Sequence, residues 1–442
     1  MMPSRTRPPA LFVKAMFVFV TYFICVGSIN PFRQRVRIED VAETGDGNFA
    51  RQIVLLLAAL VGGCALVIRN GGRPWVLIKL IPWPVLLLLA WCVLTISWSP
   101  FPDIGTRRLV QIAILTFIAF AFVRYLEPLP AFRLLALTLV CLVCLSVVLA
   151  PILPSGIHGA ERAASLSGAW RGLFVHKNHA GVAALLAVIL SYFFMRMERK
   201  PIWIIGMVFG VLLLILSKSK TSLALLVPLI VCGIFVERYL RGVFSMSLTL
   251  FMVTASSLLV FVLVLVNFDA LVDVLNNPRA FTGRVGIWMA LNGVIADHFW
   301  GGVGYGSIYD VGDTGLLTRY GEAWVSRVGH AHNGYLELWA SIGLVGLLLA
   351  VAVFMLVPLY KLLTTRGHAP SFVGMLAAVI VLAMVHNMME TTLMHRPVLL
   401  WYALLIVAAC ADRLAATRAV RYRRERPAFT PHATPSGVQG ES

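Results

Sequence analysis

The chain has 442 residues, 59% of them hydrophobic and only 13% charged. Soluble domains carry about a quarter charged residues, so the composition excludes a cytosolic enzyme, a disordered chain and a secreted disulfide scaffold. A net charge of +17 on such a chain reads first as membrane orientation, and no nucleic-acid partner is expected.

Apolar runs of the length that crosses a bilayer predict about twelve spans, at roughly 11–29, 53–68, 80–98, 109–123, 134–153, 179–195, 201–217, 221–236, 244–267, 335–360, 371–389 and 397–412. With the N-terminus inside, 21 of the 37 basic residues fall inside and 14 of the 20 acidic residues outside. Short inside segments such as Arg196–Lys200 carry the bias that sets orientation, which gives N-in and C-in. The first run has no small-residue cleavage site and reads as a retained helix. Residues 1–412 form one membrane domain, and the basic stretch 413–442 reads as a disordered cytoplasmic tail near anionic headgroups. All seven cysteines lie in apolar runs, and Cys141 and Cys144 read as small hydrophobic residues on one helix face.

Two outside loops, about 154–178 and 268–334, combine Trp, Gly, Arg and His at a membrane boundary, a composition that marks function rather than connection. The first ends in Trp170-Arg171-Gly172-Leu173-Phe174-Val175-His176-Lys177-Asn178-His179. Asn178 is expected to cap the sixth span. Arg171 and Lys177 beside that helix start read either as an anion site or as a basic interfacial loop. In the second loop, 284–295 reads as an interfacial helix too short to span, with Thr282 as its cap and Arg284 in its first turn. A cation at that end opposes the helix dipole, which a bound anion would resolve. Gly301-Gly302-Val303-Gly304-Tyr305-Gly306 reads as a tight turn, because neither a preceding strand nor a following Lys-Ser/Thr supports a nucleotide loop.

The loop closes on His330-Ala331-His332-Asn333-Gly334, with Asn333 as a cap and Glu337 one turn into the next span. A histidine at such a boundary can serve as a general base near neutral pH. His176, His179, His330 and His332 are also possible zinc ligands, but no cysteine or clustered carboxylate joins them in the sequence, and no metal is expected. Lys218, Lys220 and Glu390 are costly at membrane depth unless paired or facing water, and Glu390 is expected to pair locally with His386 or Arg396.

Three segments in order, Trp170–Gly181 (W-R-G-L-F-V-H-K-N-H-A-G), Gly283–Gly306 (G-R-V-G-I-W to G-V-G-Y-G) and His332–Gly346 (H-N, nine residues, G-L-V-G), resemble the O-antigen ligase/polymerase family, in particular its Wzy-type, ExoQ-like exopolysaccharide-polymerase branch. Ser97-Trp98-Ser99 and Ser217-Lys218-Ser219-Lys220 extend the likeness. The resemblance implies an all-α, GT-C-like bundle of about twelve helices with a large periplasmic loop carrying short interfacial helices. It also implies metal-independent, inverting glycosyl transfer at the periplasmic face of the bacterial inner membrane, without a cofactor. The donor implied is a glycan on undecaprenyl pyrophosphate, and the acceptor a second lipid-linked glycan or lipid A-core. A chain-length regulator and membrane lipids are possible partners.

By position Arg171 and Arg284 match the family's donor-binding arginines, with Arg162 as an alternative to Arg171, and His332 matches the histidine that serves the acceptor. Lys220 stands where many relatives have arginine. Lys177, His176, Asn333, Lys220 and Glu337 complete the expected substrate contacts. Polymerase is the first reading because W-R-G-L-F-V-H-K-N looks like the exopolysaccharide branch; ligase is the second. A transporter fits less well, since transporters place their sites at the midplane between repeats. Glu39 or Asp40 as the base is a further alternative.

Overall fold

The structure, a computed structural model, describes residues 10–28, 49–159, 166–245, 247–248, 284–309, 311, 315–322, 324–325, 328–364 and 368–425. The helices are α1 (Ala10–Val26), α2 (Phe49–Arg69), α3 (Trp83–Ile96), α4 (Pro102–Leu126), α5 (Pro128–Leu149), α6 (Lys177–Glu198), α7 (Pro201–Leu216), α8 (Lys220–Leu240), α9 (Arg284–Asp297), α10 (Gly334–Thr364), α11 (Pro370–His386) and α12 (Leu399–Glu425). No named strand occurs among the described residues; one isolated bridge joins Ile157 and Trp170.

The chain is a multi-pass membrane protein, helical throughout the named elements of its described residues. Seven of these helices are long and apolar enough to cross a bilayer, and α1, α3, α7 and α11 are shorter apolar helices. The expected ninth span at 244–267 lies largely outside the described residues, as do Glu39, Asp40, Arg162 and Thr282. The C-terminal segment departs from expectation. The helix runs on to Glu425 rather than ending near 412, because Leu414, Ala415, Ala416 and the arginines that follow are good helix formers.

Proline sets several helix starts. Pro84, Pro102, Pro128, Pro201 and Pro370 stand at the first or second helical position, where the missing amide costs no intrahelical bond. Leu57, Leu60, Leu86, Val208 and Val227 are exposed, as the lipid-facing sides of spans must be. Helix α6 is buried along most of its length, against α5, α7, α8, α11 and α12.

One end of the bundle is held by ion pairs. Glu237 is fully buried and accepts Arg196 and Arg241, each at 2.6 Å. Arg133 meets Glu198 at 3.1 Å, Arg413 meets Glu127 at 3.1 Å and Lys361 meets Asp412 at 2.9 Å. These are residues that the charge bias assigns to a single side. The opposite end gathers the described parts of both distinctive loops.

Helix α9 heads a second small core there, with Ile287, Leu291 and Val294 packed on Val303, Tyr309, Leu317 and Ala340. The glycine run docks on α10. Val303 N donates to Ala340 O and Gly304 N to Ser341 O, both at 2.9 Å, and Leu344 N donates to Phe299 O at 2.9 Å. Helix α10 breaks at Gly343, whose φ is 70°, so these amides and carbonyls are free to pair outside the helix. The indoles of Trp91 and Trp98 complete the joint by donating to Ile342 O at 2.9 Å and Gly302 O at 3.0 Å. The glycine turn is therefore also a packing surface. A Cβ on Gly343 would collide with the Trp300 carbonyl and would sit at a left-handed φ. Gly343→Ala is expected to lower the unfolding midpoint of the detergent-solubilised protein by an amount matching at least about 1 kcal/mol; an unchanged midpoint would show that the break tolerates a side chain.

Candidate active site

The first loop is tied down by its own backbone and by Arg171. Arg171 N and Gly172 N both donate to Gly156 O at 2.9 Å. The buried Arg171 guanidinium donates through Nε to Ser155 O and through Nη1 to Val175 O at 3.1 Å. This holds Val175 and delivers His176 to the start of α6. The cap differs from expectation. His176 is the N-cap, its Nδ1 accepting from Asn178 N at 3.2 Å. An imidazole nitrogen supplies the acceptor that a capping oxygen usually provides, which leaves the Asn178 side chain free for another partner.

That partner is Glu390, just beyond α11. Its Oε1 accepts from Asn178 Nδ2 at 3.0 Å and from Arg284 Nη2 at 2.9 Å. Its Oε2 lies 3.1 Å from His332 Nδ1. Arg284 also donates through Nη1 to Met389 O at 2.6 Å. Glu390, expected to pair locally with His386 or Arg396, is paired with Arg284 and His332, residues far away in sequence. The starts of α6, α9 and α10 all send a polar side chain to this carboxylate. Helix starts favour negative charge, so an acid is well placed at their meeting point.

His332 is held in a left-handed conformation, φ 52°, a strained state that needs surrounding support. Ala331 N donates to Glu337 Oε2 at 2.9 Å, and His332 N to His330 Nδ1 at 3.3 Å. Gly334 N donates to Asn387 O at 2.8 Å. Asn333 caps α10 as expected, its Oδ1 accepting from Tyr335 N and Leu336 N, both at 3.1 Å. Glu337 is buried and pairs with His395 Nδ1 at 2.5 Å. The structure therefore gives Glu337 a place beneath the His332 turn. Lys177 and Lys220 begin α6 and α8, close enough for the charges of Lys218 and Lys220 to act on Lys177. Lys218 donates to Ser167 O at 3.0 Å.

Arg284, His332 and Asn178 thus meet at one carboxylate, while Arg171 serves the backbone of its own loop. Glu390 and His395 were not among the sequence candidates for the site. Glu390 had a signal, an acid at the outside end of a span; His395 had none beyond its proximity to that end.

Burial opposes ionisation of Glu390, but the hydrogen bond and charge of His332 and the charge of Arg284 outweigh it and hold the carboxyl down to about 2. Burial, reinforced by His332 and His395, lowers His330 to about 3. Burial, with His179 and His158, likewise lowers His176 to about 3. The unfolded chain protonates such histidines below about pH 6.5, while the folded protein leaves both neutral down to about 3. Folding stability is therefore fully present above about pH 6.5 and falls as pH drops below it. Glu390 adds a second loss between about pH 4.3 and about 2. The unfolding midpoint is expected to fall steadily from pH 7.5 to pH 5, and the fall to be smaller in His330→Gln; a flat profile over that range would contradict the burial of these rings as neutral groups.

No curated protein matches the chain significantly. Residues 205–351 match the family model described as O-antigen ligase, a segment that contains Arg284 and His332 and ends before Glu390. The match supports the resemblance of the chain to the O-antigen ligase/polymerase family.

Proposed function

We propose that the chain is a polysaccharide polymerase that joins lipid-linked oligosaccharide repeats by metal-independent, inverting glycosyl transfer from undecaprenyl pyrophosphate on the periplasmic side of the inner membrane. The observation that carries this reading is the shared carboxylate. Glu390 holds a candidate base, His332, and a candidate anion-binding group, Arg284, through its two oxygens.

Glu390 accepts the Nδ1 proton of His332, which leaves the Nε2 lone pair for the acceptor. An acceptor hydroxyl attacks the anomeric carbon of the donor glycan from the face opposite the diphosphate. The new C–O bond forms as the bond from that carbon to the diphosphate oxygen breaks, and the electron pair leaves with the lipid pyrophosphate. The hydroxyl proton passes to Nε2, and the Glu390 charge stabilises the resulting imidazolium, as a buried carboxylate does beside other catalytic histidines. Arg284, with the starts of α6, α9 and α10, offers fixed positive charge to the departing pyrophosphate. That leaving group also lets the reaction run where no nucleotide sugar is available. Lys177 and Lys220 extend the positive face towards the donor, neutral His176 caps the helix that carries Lys177, and Arg171 acts by fixing the loop that leads to them. Asn333 and Glu337 support the His332 turn.

A second reading, transfer of the finished glycan to lipid A-core, is favoured by the description of the matched family as O-antigen ligase. Both use the same donor chemistry and differ in the acceptor. In cells lacking the protein, accumulation of single repeats without polymer supports the polymerase, whereas polymer left on undecaprenyl pyrophosphate supports the ligase.

The direct test is purified protein with lipid-linked repeats in EDTA, analysed for laddered products. His332→Ala should lose nearly all transfer and Glu390→Gln about 10²–10⁴-fold in rate, the usual contribution of a positioned base and its support. A transporter would retain most activity with His332→Ala. If Glu39→Gln or Asp40→Asn abolishes transfer while His332→Ala does not, the base is a carboxylate in the first outside loop.

A further inference from the structure

The site has a second chemical capacity that rests on the reading of His332 as the base. One imidazole nitrogen each from His330 and His332 and a carboxylate oxygen of Glu390 lie within 4.8 Å of one another. His332 Nδ1 and Glu390 Oε2 are 3.1 Å apart. Two ligands of a tetrahedral zinc ion stand about 3.3 Å apart, given bonds of about 2.0 Å. The His330 ring is already packed edge-on against His332, with centroids 4.0 Å apart. Two imidazoles and one carboxylate suit zinc-like ions and not magnesium or calcium, which take oxygen ligands.

We infer that His330, His332 and Glu390 form a binding site for a zinc-type divalent cation, and that the bound ion inhibits glycosyl transfer. Coordination through Nδ1 leaves the neutral His332 ring with its one proton on Nε2. The lone pair that would receive the acceptor's proton is then gone. The same ion takes Glu390 Oε2 away from His332 Nδ1 and removes the orientation of the base.

Arg284 sets the strength of the site. Its guanidinium lies 2.9 Å from the other Glu390 oxygen and repels a cation bound at the carboxylate. The neighbouring His395 is itself engaged by Glu337 at 2.5 Å, and the Asn178 contact with Glu390 is neutral. Arg284 is thus the charge that opposes binding most directly, and its removal has the opposite effect on metal affinity from removal of a ligand.

The full chain in detergent can be titrated with zinc by calorimetry, and with cobalt(II) as an optical probe of coordination geometry. The expected result is one ion per chain, with the cobalt spectrum of a four-coordinate site. His330→Gln and Glu390→Gln should each weaken binding at least about tenfold, since loss of an outer partner alone typically costs about 10–100-fold, and Arg284→Gln should tighten it. Transfer by the wild type should fall with free zinc and recover on chelation, while His330→Gln, compared with its own zinc-free rate, should resist. Absence of stoichiometric binding, or affinity unchanged in both ligand variants, overturns the site. Binding through these residues without loss of transfer overturns the inhibition. Absence of transfer in the zinc-free wild type counts against the proposed function instead, because calorimetry and the cobalt spectrum need no glycan.

Discussion

The polar end of this protein is organised by one carboxylate. Glu390 is mostly buried, and a buried acid is tolerated only where donors replace its water. Here the donors come from the starts of three helices: Asn178 on α6, Arg284 on α9 and His332 just before α10. Each donor is separated from Glu390 by a long stretch of chain, so the bond network is also a tertiary clasp. It joins the second loop to the end of α11 and to the mouth of α6. Loss of the acid would leave Arg284 and His332 without the charge that draws them together.

The clasp works because the backbone beneath it is fixed. His332 sits in a left-handed conformation, which costs of order 1–3 kcal/mol, and the amides around it are occupied one by one. Glu337 takes that of Ala331, His330 that of His332, Asn387 O that of Gly334 and Asn333 those of Tyr335 and Leu336. Lower in α10, Gly343 lets the helix break where the glycine-rich loop docks. A side chain can be aimed this closely only when neither its own turn nor the helix behind it can shift.

Much of the bundle is legible in sequence because hydropathy over a span is a sum over many residues, so misreading a few leaves it intact. The Asn333 cap was legible for a local reason, an asparagine immediately before an apolar run. The site was legible only in part. Arg284 and His332 stood out by their places in the loop, whereas Glu390 looked like a local ion pair, since nothing in the sequence reports which distant cation reaches a given acid. His176 displaced Asn178 as a cap because an acceptor nitrogen is equivalent to an oxygen in that geometry, a choice that depends on what else competes for the asparagine. The terminal helix outran its hydrophobic stretch because helix propensity continues after the membrane-crossing signal has ended.

The two ends of the bundle use charge differently. At one end Glu237 is fully buried between Arg196 and Arg241, and the other pairs join helices directly to one another. Breaking a buried pair such as that of Glu237 leaves an uncompensated charge and is strongly destabilising, whereas the more exposed pairs contribute little each and serve mainly to fix helix against helix. At the other end the carboxylate is shared between a guanidinium, an imidazole and an amide, and each of these has an alternative use in solution or with a ligand. An ion pair that only braces the fold has no reason to include a titratable ring in a strained turn. The placement of strain, shared acid and helix starts at a single point therefore argues that this end was shaped by chemistry and the opposite end by cohesion.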